Sequence, residues 1–173
     1  VHMGITYMTL LKIFTTMDIK HFLKSMAPVQ LLGFSTSSSG ATLPVTMKRC
    51  EKDLGISEEI SSFVLPLGAT INMDGTALYQ GVAAVFIAQA VGMDLTLANQ
   101  FTIVATAVLA SIGTAAVPGA GIIMLIIILE AINVPSEGIA LILGVDRILD
   151  MIRTATNVTG DATVASVMDS LER

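Results

Sequence analysis

Apolar residues fill most of the chain, and short polar breaks cut them into runs of limited length. Residues 1–17 are an apolar helical run, shorter than the ~20 residues a membrane-crossing helix needs. Asp18 to Lys24 predicts a polar turn, and Phe22 to Phe34 a short apolar helix containing Pro28. The hydroxylated stretch Ser35 to Pro44 predicts a tip, followed by a return helix, Val45 to Leu54, that ends in the charged cluster 48–53. Two short helices joined by such a tip describe a re-entrant hairpin; the alternative is a serine-rich surface loop between ordinary helices. Ser57, with Glu58 and Glu59 at the positive end, caps a helix to Ala69, which breaks over 72–76 and resumes from Ala77 to Val91. After a turn at 92–94, Leu97 to Leu109 and Ile122 to Ile132 flank a second small-residue tip, Ala110 to Gly121. A loop from Asn133 to Gly138 then leads to a last helix, from Ile139, that turns polar towards Arg173. The expected units are a helix end (1–17), a first hairpin (18–56), a broken helix (57–92), a second hairpin (96–133), and a last helix with tail (136–173). The chain opens directly in an apolar run, so it is expected to be the C-terminal part of a longer protein, with its first helix cut.

The break Asn72-Met73-Asp74-Gly75-Thr76 is the centre of this pattern. Asn, Asp and Thr offer the backbone competing hydrogen bonds, and Gly costs a helix about 1 kcal/mol relative to Ala. In lipid, a freed carbonyl has no water to bond, so a break there survives where it lines a buried polar site. An intramembrane Asp is itself a functional-site hypothesis; its bland alternative is a capped kink. The two tips look related: Ser37, Ala41 and Pro44 match Ser111, Ala115 and Pro118 at one offset. Each tip precedes a helix with a polar break, 72–76 in one case and Asn157 to Asp161 in the other. This order predicts an all-α membrane protein with two re-entrant hairpins and two broken or polar helices in an inverted repeat.

Composition strengthens the membrane reading. The chain is 53% hydrophobic and 13% charged, against about 25% charged for a soluble domain, and its mean hydropathy is +0.79. The single cysteine, Cys50, can form no internal disulfide. His2 and His21 lie far apart and offer no metal-ligand spacing. A net charge of −5 would point to a basic partner, but in a membrane protein the side on which charges fall says more; no nucleic-acid partner is expected. Lys12, Lys20, Lys24, Lys48, Arg49 and Lys52 flank the first hairpin, while 53–146 hold no Lys or Arg. The positive-inside rule puts the base of that hairpin in the cytoplasm, and the second hairpin then enters from outside.

The last helix carries Asp146, Asp150, Arg153, Asn157 and Asp161 within an arc of roughly 80° at 100° per residue, bordered by Thr154. Such a stripe cannot face lipid. It could be a structural ion-pair stripe, Arg153 with Asp150 one turn away. That pairing leaves Asp161 and Asp74 without a cationic partner, and bound hard cations held by oxygen ligands answer the need. Helices starting after Gly40 and after Pro118 point N–H groups inward, where they bind anionic groups. Ser38 and Ser39 add hydroxyl donors. Arg153 offers a fork that fits a second carboxylate. Two anion sites and a cation site predict a dicarboxylic substrate moved with a cation.

Four motifs in order carry a family resemblance: Thr-Ser-Ser-Ser-Gly-Ala-Thr-Leu-Pro (36–44), Asn-Met-Asp-Gly-Thr (72–76), Ser-Ile-Gly-Thr-Ala-Ala-Val-Pro-Gly-Ala-Gly (111–121), and Asp-xx-Arg-xxx-Asn-Val-Thr-Gly-Asp (150–161). Over about residues 5–165 the chain resembles the dicarboxylate/amino acid:cation symporters, and most of all their glutamate/aspartate transporters. The resemblance implies the transport domain of an elevator transporter in the cell (inner) membrane, multi-pass and homotrimeric at full length. It would move L-glutamate or L-aspartate with Na+, or with H+ instead or in addition. C4-dicarboxylates or neutral amino acids are alternative substrates. By family pattern, Asp150 binds the substrate amino group and Arg153 its side-chain carboxylate. Thr154, Asn157, Ser37, Ser38, Ser39, Val117, Pro118 and Gly119 hold its backbone end, and Thr76 lies near its side chain. One sodium site would use Gly68, Asn72, Asn157 and Asp161. A second would use carbonyls at Thr70, Ser111, Ile112 and Thr114. A third would use Asn72, Met73 and Asp74 with residues on an earlier helix. The second hairpin would be the extracellular gate. Gln80 stands where proton-coupled animal members have Glu. The family's scaffold helices are missing, so the chain alone is expected not to transport.

Two rivals belong to other classes. An intramembrane aspartyl protease could use Asp74 and Asp161 as a proton-sharing pair, but the Gly-x-Gly-Asp motif is missing from Val158-Thr159-Gly160-Asp161. Ser-His-Asp hydrolysis lacks an intramembrane His. A non-transporting assembly domain would use its buried charges for packing alone.

Overall fold

The computed structural model describes residues 1–173, and every regular element in it is helical. A π-helical turn, Met3–Tyr7, runs into α1 (Met8–Phe14). There follow α2 (Ile19–Thr36), α3 (Ser39–Lys52), α4 (Glu58–Ile71), α5 (Asp74–Ala90), α6 (Leu97–Ile112), α7 (Ala120–Ala131), a 3-10 turn (Ser136–Leu141), and α8 (Leu143–Glu172). Side-chain caps explain four of the starts. Asp18 accepts from the His21 N–H, Ser38 from Ala41, Ser57 from Ile60, and Thr96 from Asn99. The expected polar turn from Asp18 to Lys24 is therefore one cap residue followed by the first turns of α2. The break at 72–76 shrinks to Asn72 and Met73. Asp74 opens α5, where a carboxylate meets the positive end of the helix. The expected loop Asn133 to Gly138 closes into the 3-10 turn, so the last helix begins at Leu143 instead of Ile139.

The expected break at Asn157 to Asp161 is absent, and α8 runs unbroken for 30 residues. Its hydroxyls explain this. Thr159 donates to the Ala155 carbonyl, Thr163 to Thr159, and Ser166 to Ala162, so these hydroxyls find partners on their own helix and leave its backbone ladder unbroken. Gly160 serves close packing: a Cβ there would lie 2.6 Å from the Tyr7 hydroxyl and 2.8 Å from Asn72 Nδ2. Gly160→Ala is expected to cost about 1–3 kcal/mol, read as a lowered melting temperature of the detergent-purified protein.

No helix is long and apolar enough to cross a membrane. The reason is visible in the elements: α4 and α5 share one run split by Asn72 and Met73, and α8 has the length but carries the charged stripe. Two apolar cores flank α8. One joins Leu11, Phe22, Met26, Val29, Cys50, Ile60 and Leu65 to Val158, Ala162 and Ala165 of α8. The other joins α5, α6, α7 and the 3-10 turn through Ile87, Ile103, Leu125, Ile128, Leu129 and Ile139. Each helix–tip–helix pair packs along itself, α2 on α3 and α6 on α7, and α8 also touches α2, α3, α4 and α5.

At the far end of α8, Asp169 accepts from the Ser57 N–H at 2.8 Å and pairs with Arg173 at 2.8 Å, while Arg173 also donates to the Gly55 carbonyl at 2.6 Å. Burial alone raises the Asp169 pKa. Hydrogen bonds from Ser57 and the Arg173 guanidinium more than offset this, so the carboxyl sits below its usual value. A folded pKa lower than the unfolded one stabilises at neutral pH and is lost as pH falls through the folded value. Asp169→Ala is expected to cost about 1–2 kcal/mol at pH 7. The difference in melting temperature from the unsubstituted protein should vanish in acid.

Candidate functional site

The two tips meet. Ser37 adopts a left-handed conformation (φ 54°) and ends α2; Ser38 then caps α3. The Ser38 hydroxyl donates to the Ala116 carbonyl of the second tip at 2.7 Å, and the Gly40 N–H donates to the same oxygen at 3.2 Å. Gly119, at φ 77°, turns the second tip into α7, and its N–H donates to Asp150 Oδ2 at 2.9 Å. The second tip is thus bonded both to the first tip and to α8.

Beneath this contact lies a cavity of about 20 Å³, room for about one water. Of the residues expected to bind substrate, Ser37, Ser39, Thr76, Val117, Asp150, Arg153, Thr154 and Asn157 line it. Ser38 and Gly119 bond across its rim, and Pro118 is not among its lining residues. A larger cavity of about 800 Å³ between α5 and α6 is mainly apolar and holds none of the expected site residues.

Arg153 is 4% exposed. Its Nε donates to Asp150 Oδ1 at 2.9 Å and its Nη1 to Asp146 Oδ1 at 3.3 Å. Its Cζ sits 4.0 Å from the centre of the Tyr79 ring, and the Tyr79 hydroxyl donates to Asp146 at 2.7 Å. The structural pairing of Arg153 with Asp150 is therefore present, and Asp146 is a second partner. Arg153 Nη2 and Ser37 Oγ remain buried without partners. A buried donor left unbonded costs about 1–3 kcal/mol, so both atoms suit an incoming acceptor. A Cβ on Gly121 would lie 3.0 Å from Arg153 Cζ, so glycine there lets α7 approach the guanidinium.

The expected cation ligands fall into groups. Asn72 Nδ2 donates to Asp161 Oδ1 at 3.0 Å, and a Cβ on Gly68 would lie 2.7 Å from the same oxygen, so Gly68, Asn72 and Asp161 converge. Asn157, one turn earlier on α8, accepts from the Gly75 N–H and donates to Thr76 Oγ1. Ser111 and Ile112 end α6, Thr114 and Met73 line the small cavity, and Thr70 lies on the exposed side of α4. Asp74 turns away from the cavity. It accepts from the Tyr7 hydroxyl at 3.0 Å and lies 3.1 Å from His2 Nε2. As expected, no Lys or Arg pairs with Asp74 or Asp161. Hydroxyl, amide and imidazole groups bond them, although the Asn72 amide leaves the Asp161 charge uncompensated. No three His, Cys, Asp or Glu side chains converge to hold a metal ion.

Sequence reasoning missed Tyr79, Tyr7 and Ala116. The two tyrosines are the only ones in the chain. A hydroxyl in an apolar helix needs a partner, and that was the available signal. Ala116 acts through its carbonyl, which no side-chain pattern reveals.

A sequence profile of the sodium:dicarboxylate symporter family matches residues 1–171. The chain is 46% identical over 152 residues to excitatory amino acid transporter 1 of Rattus norvegicus, covering 88% of this chain and 28% of that protein. It is 49% identical over 152 residues to excitatory amino acid transporter 3 of Mus musculus, covering 88% and 29%. It is 49% identical over 155 residues to the proton/sodium-glutamate symport protein of Bacillus subtilis (strain 168), covering 90% and 36%. The chain thus spans between a quarter and two fifths of the length of these relatives.

Proposed function

Because the chain belongs to the sodium:dicarboxylate symporter family, a family of transporters and not of enzymes, we propose that it forms the substrate- and cation-binding part of an acidic amino acid symporter. The substrate is L-aspartate or L-glutamate, and the coupled ion is Na+, with H+ as the alternative or additional ion. The full-length protein is a homotrimer in the cell (inner) membrane that works by an elevator motion, and the chain alone does not transport.

One observation carries this reading. The two tips close over a buried Arg153–Asp150 pair in a cavity too small for an amino acid. Arg153 and Asp150 satisfy one another when no substrate is bound. An amino acid with an acidic side chain replaces both halves of that pair: its ammonium takes Asp150 and its side-chain carboxylate takes Arg153. Entry requires Asp150 to release the Gly119 N–H and Ala116 to release Ser38, so the second tip is the gate. Ser37 Oγ, Thr154 and Asn157 then face the backbone end of the substrate.

The cations belong to the cargo. Oxygen ligands from carboxylate, amide and backbone carbonyl groups suit a hard cation. Gly68, Asn72 and Asp161 form the group best supported for the first site, with Asn157 completing it. Thr70, Ser111, Ile112 and Thr114 supply carbonyls to the second. The third uses Asn72, Met73 and Asp74, with Tyr7 bonded to Asp74 as an added member.

The test is uptake of radiolabelled aspartate by the full-length protein in liposomes, with sodium and proton gradients imposed separately. Uptake driven by the sodium gradient is expected. No uptake under either gradient would contradict the reading.

A further inference from the structure

All five lysines of the chain, Lys12, Lys20, Lys24, Lys48 and Lys52, are exposed, and none forms an ion pair. They lie where α1 ends, α2 begins and α3 ends. His21 Nε2 sits 2.7 Å from the Asp53 carbonyl, which brings the start of α2 against the end of α3. Lys20 and Lys24 are one turn apart on one helix, as are Lys48 and Lys52 on the next. Around the start of α2 and the end of α3, the five cations Lys20, Lys24, Lys48, Arg49 and Lys52 outnumber the three acids Asp18, Glu51 and Asp53, so the local charge is positive although Asp18 and Glu51 keep their charge. Asp18 caps α2, Glu51 accepts from the Ser61 hydroxyl, Asp53 pairs with Arg49, and Asp169 pairs with Arg173. The remaining acids of this end, Glu58, Glu59 and Glu172, belong to α4 and α8. Beside the lysines, Ile13, Phe14 and Leu23 expose 66%, 43% and 39% of their surface.

We propose that this end of the molecule is a docking surface for anionic phospholipid headgroups, clamped between Lys20 and Lys24 on α2 and Lys48 and Lys52 on α3. Unpaired ammonium groups beside exposed apolar side chains match the boundary between headgroups and acyl chains. Lysine stems lie along apolar surface while their charges reach phosphate. Ile13, Phe14 and Leu23 enter the acyl boundary, and Lys12 adds charge at its edge. The inference rests on the membrane placement under Proposed function and is independent of the substrate.

The experiment reconstitutes the full-length protein in vesicles of equal phosphatidylglycerol and phosphatidylcholine. It then extracts the protein with its bound lipid and measures the two lipids by mass spectrometry. The unsubstituted protein is expected to retain phosphatidylglycerol over phosphatidylcholine, and the preference should fall as salt rises. Affinity for the anionic lipid should drop about fivefold per lysine removed at low salt. The variant carrying Lys20→Gln, Lys24→Gln, Lys48→Gln and Lys52→Gln should therefore carry the two lipids in their bulk ratio. The corresponding fourfold Lys→Arg variant should keep the preference. The melting temperature of the detergent-purified protein reports folding, whatever the substrate; a variant that melts markedly lower is replaced by the Lys20→Gln/Lys24→Gln pair, expected to lose part of the preference. Equal retention by the unsubstituted protein, or the same preference in the folded glutamine variants, overturns the inference. Failed transport with lipid preference intact would count against the substrate reading alone.

Discussion

Arg153→Cys in the full-length protein is expected to weaken aspartate binding by roughly 100-fold or more while sparing or improving serine binding. Truncating one member of a buried, hydrogen-bonded charge pair costs at least 2–5 kcal/mol, and ~1.4 kcal/mol is tenfold in affinity. The guanidinium is held in place from three sides by Asp150, Asp146 and the Tyr79 ring, with Nη2 free. Asp146 and the Tyr79 ring keep it oriented when the substrate displaces Asp150, so little of its binding energy goes into ordering it. Serine lacks the side-chain carboxylate and needs only Asp150 and the tips. Removing Arg153 also strands two buried carboxylates, which lowers stability. The comparison of aspartate with serine by calorimetry separates recognition from folding, because a folding defect weakens both. Unchanged selectivity would refute the role of Arg153.

Asp161→Asn is expected to make the sodium dependence of aspartate binding less steep, because one of the three proposed sites loses its carboxylate. Asp161 is 3% exposed, and its hydrogen-bond donor is the neutral amide of Asn72. Hydrogen bonds from neutral groups do not cancel a buried charge. A cation seated among Gly68, Asn72 and Asp161 does. Asn keeps the shape and, by turning its amide, keeps a bond to Asn72. The ion-free variant should therefore melt no lower than the unsubstituted protein, because it no longer buries an uncompensated carboxylate. A packing role predicts the opposite pair of results, lower stability with sodium dependence intact. Melting curves and aspartate titrations with and without sodium decide between them.

Much of the helical order was legible because its punctuation is local. Ser57 was readable as the cap of the helix that follows, and the glycine-, serine- and alanine-rich tips as helix ends; Asp18 and Thr96 cap α2 and α6 in the same way but were not read as caps. The error over Asn157 to Asp161 has a physical cause. Asn, Thr and Gly read as helix breakers when only backbone competition is counted, yet Thr159 and Thr163 bond back to carbonyls of their own helix, and Gly160 is there to admit Tyr7 and Asn72. The site was half legible. Spacing along one helix placed Asp150 and Arg153 together, one turn apart. Asp146, two turns from Arg153 on the same stripe, also bonds it, and its second partner, the Tyr79 hydroxyl from another helix, left no signal in the spacing. Contacts between distant segments, such as Tyr7 to Asp74 and Ser38 to Ala116, leave no spacing to read. Counting cations as the only partners for buried acids also missed the neutral donors.

The most direct measurement is the affinity of the full-length protein for aspartate, titrated calorimetrically across a series of sodium concentrations in potassium-balanced buffer. If acidic side chains and helix ends beneath the closed tips are neutralised by ions and an acidic amino acid together, affinity should rise more steeply than the first power of sodium concentration. Aspartate bound equally well in sodium and in potassium would contradict it.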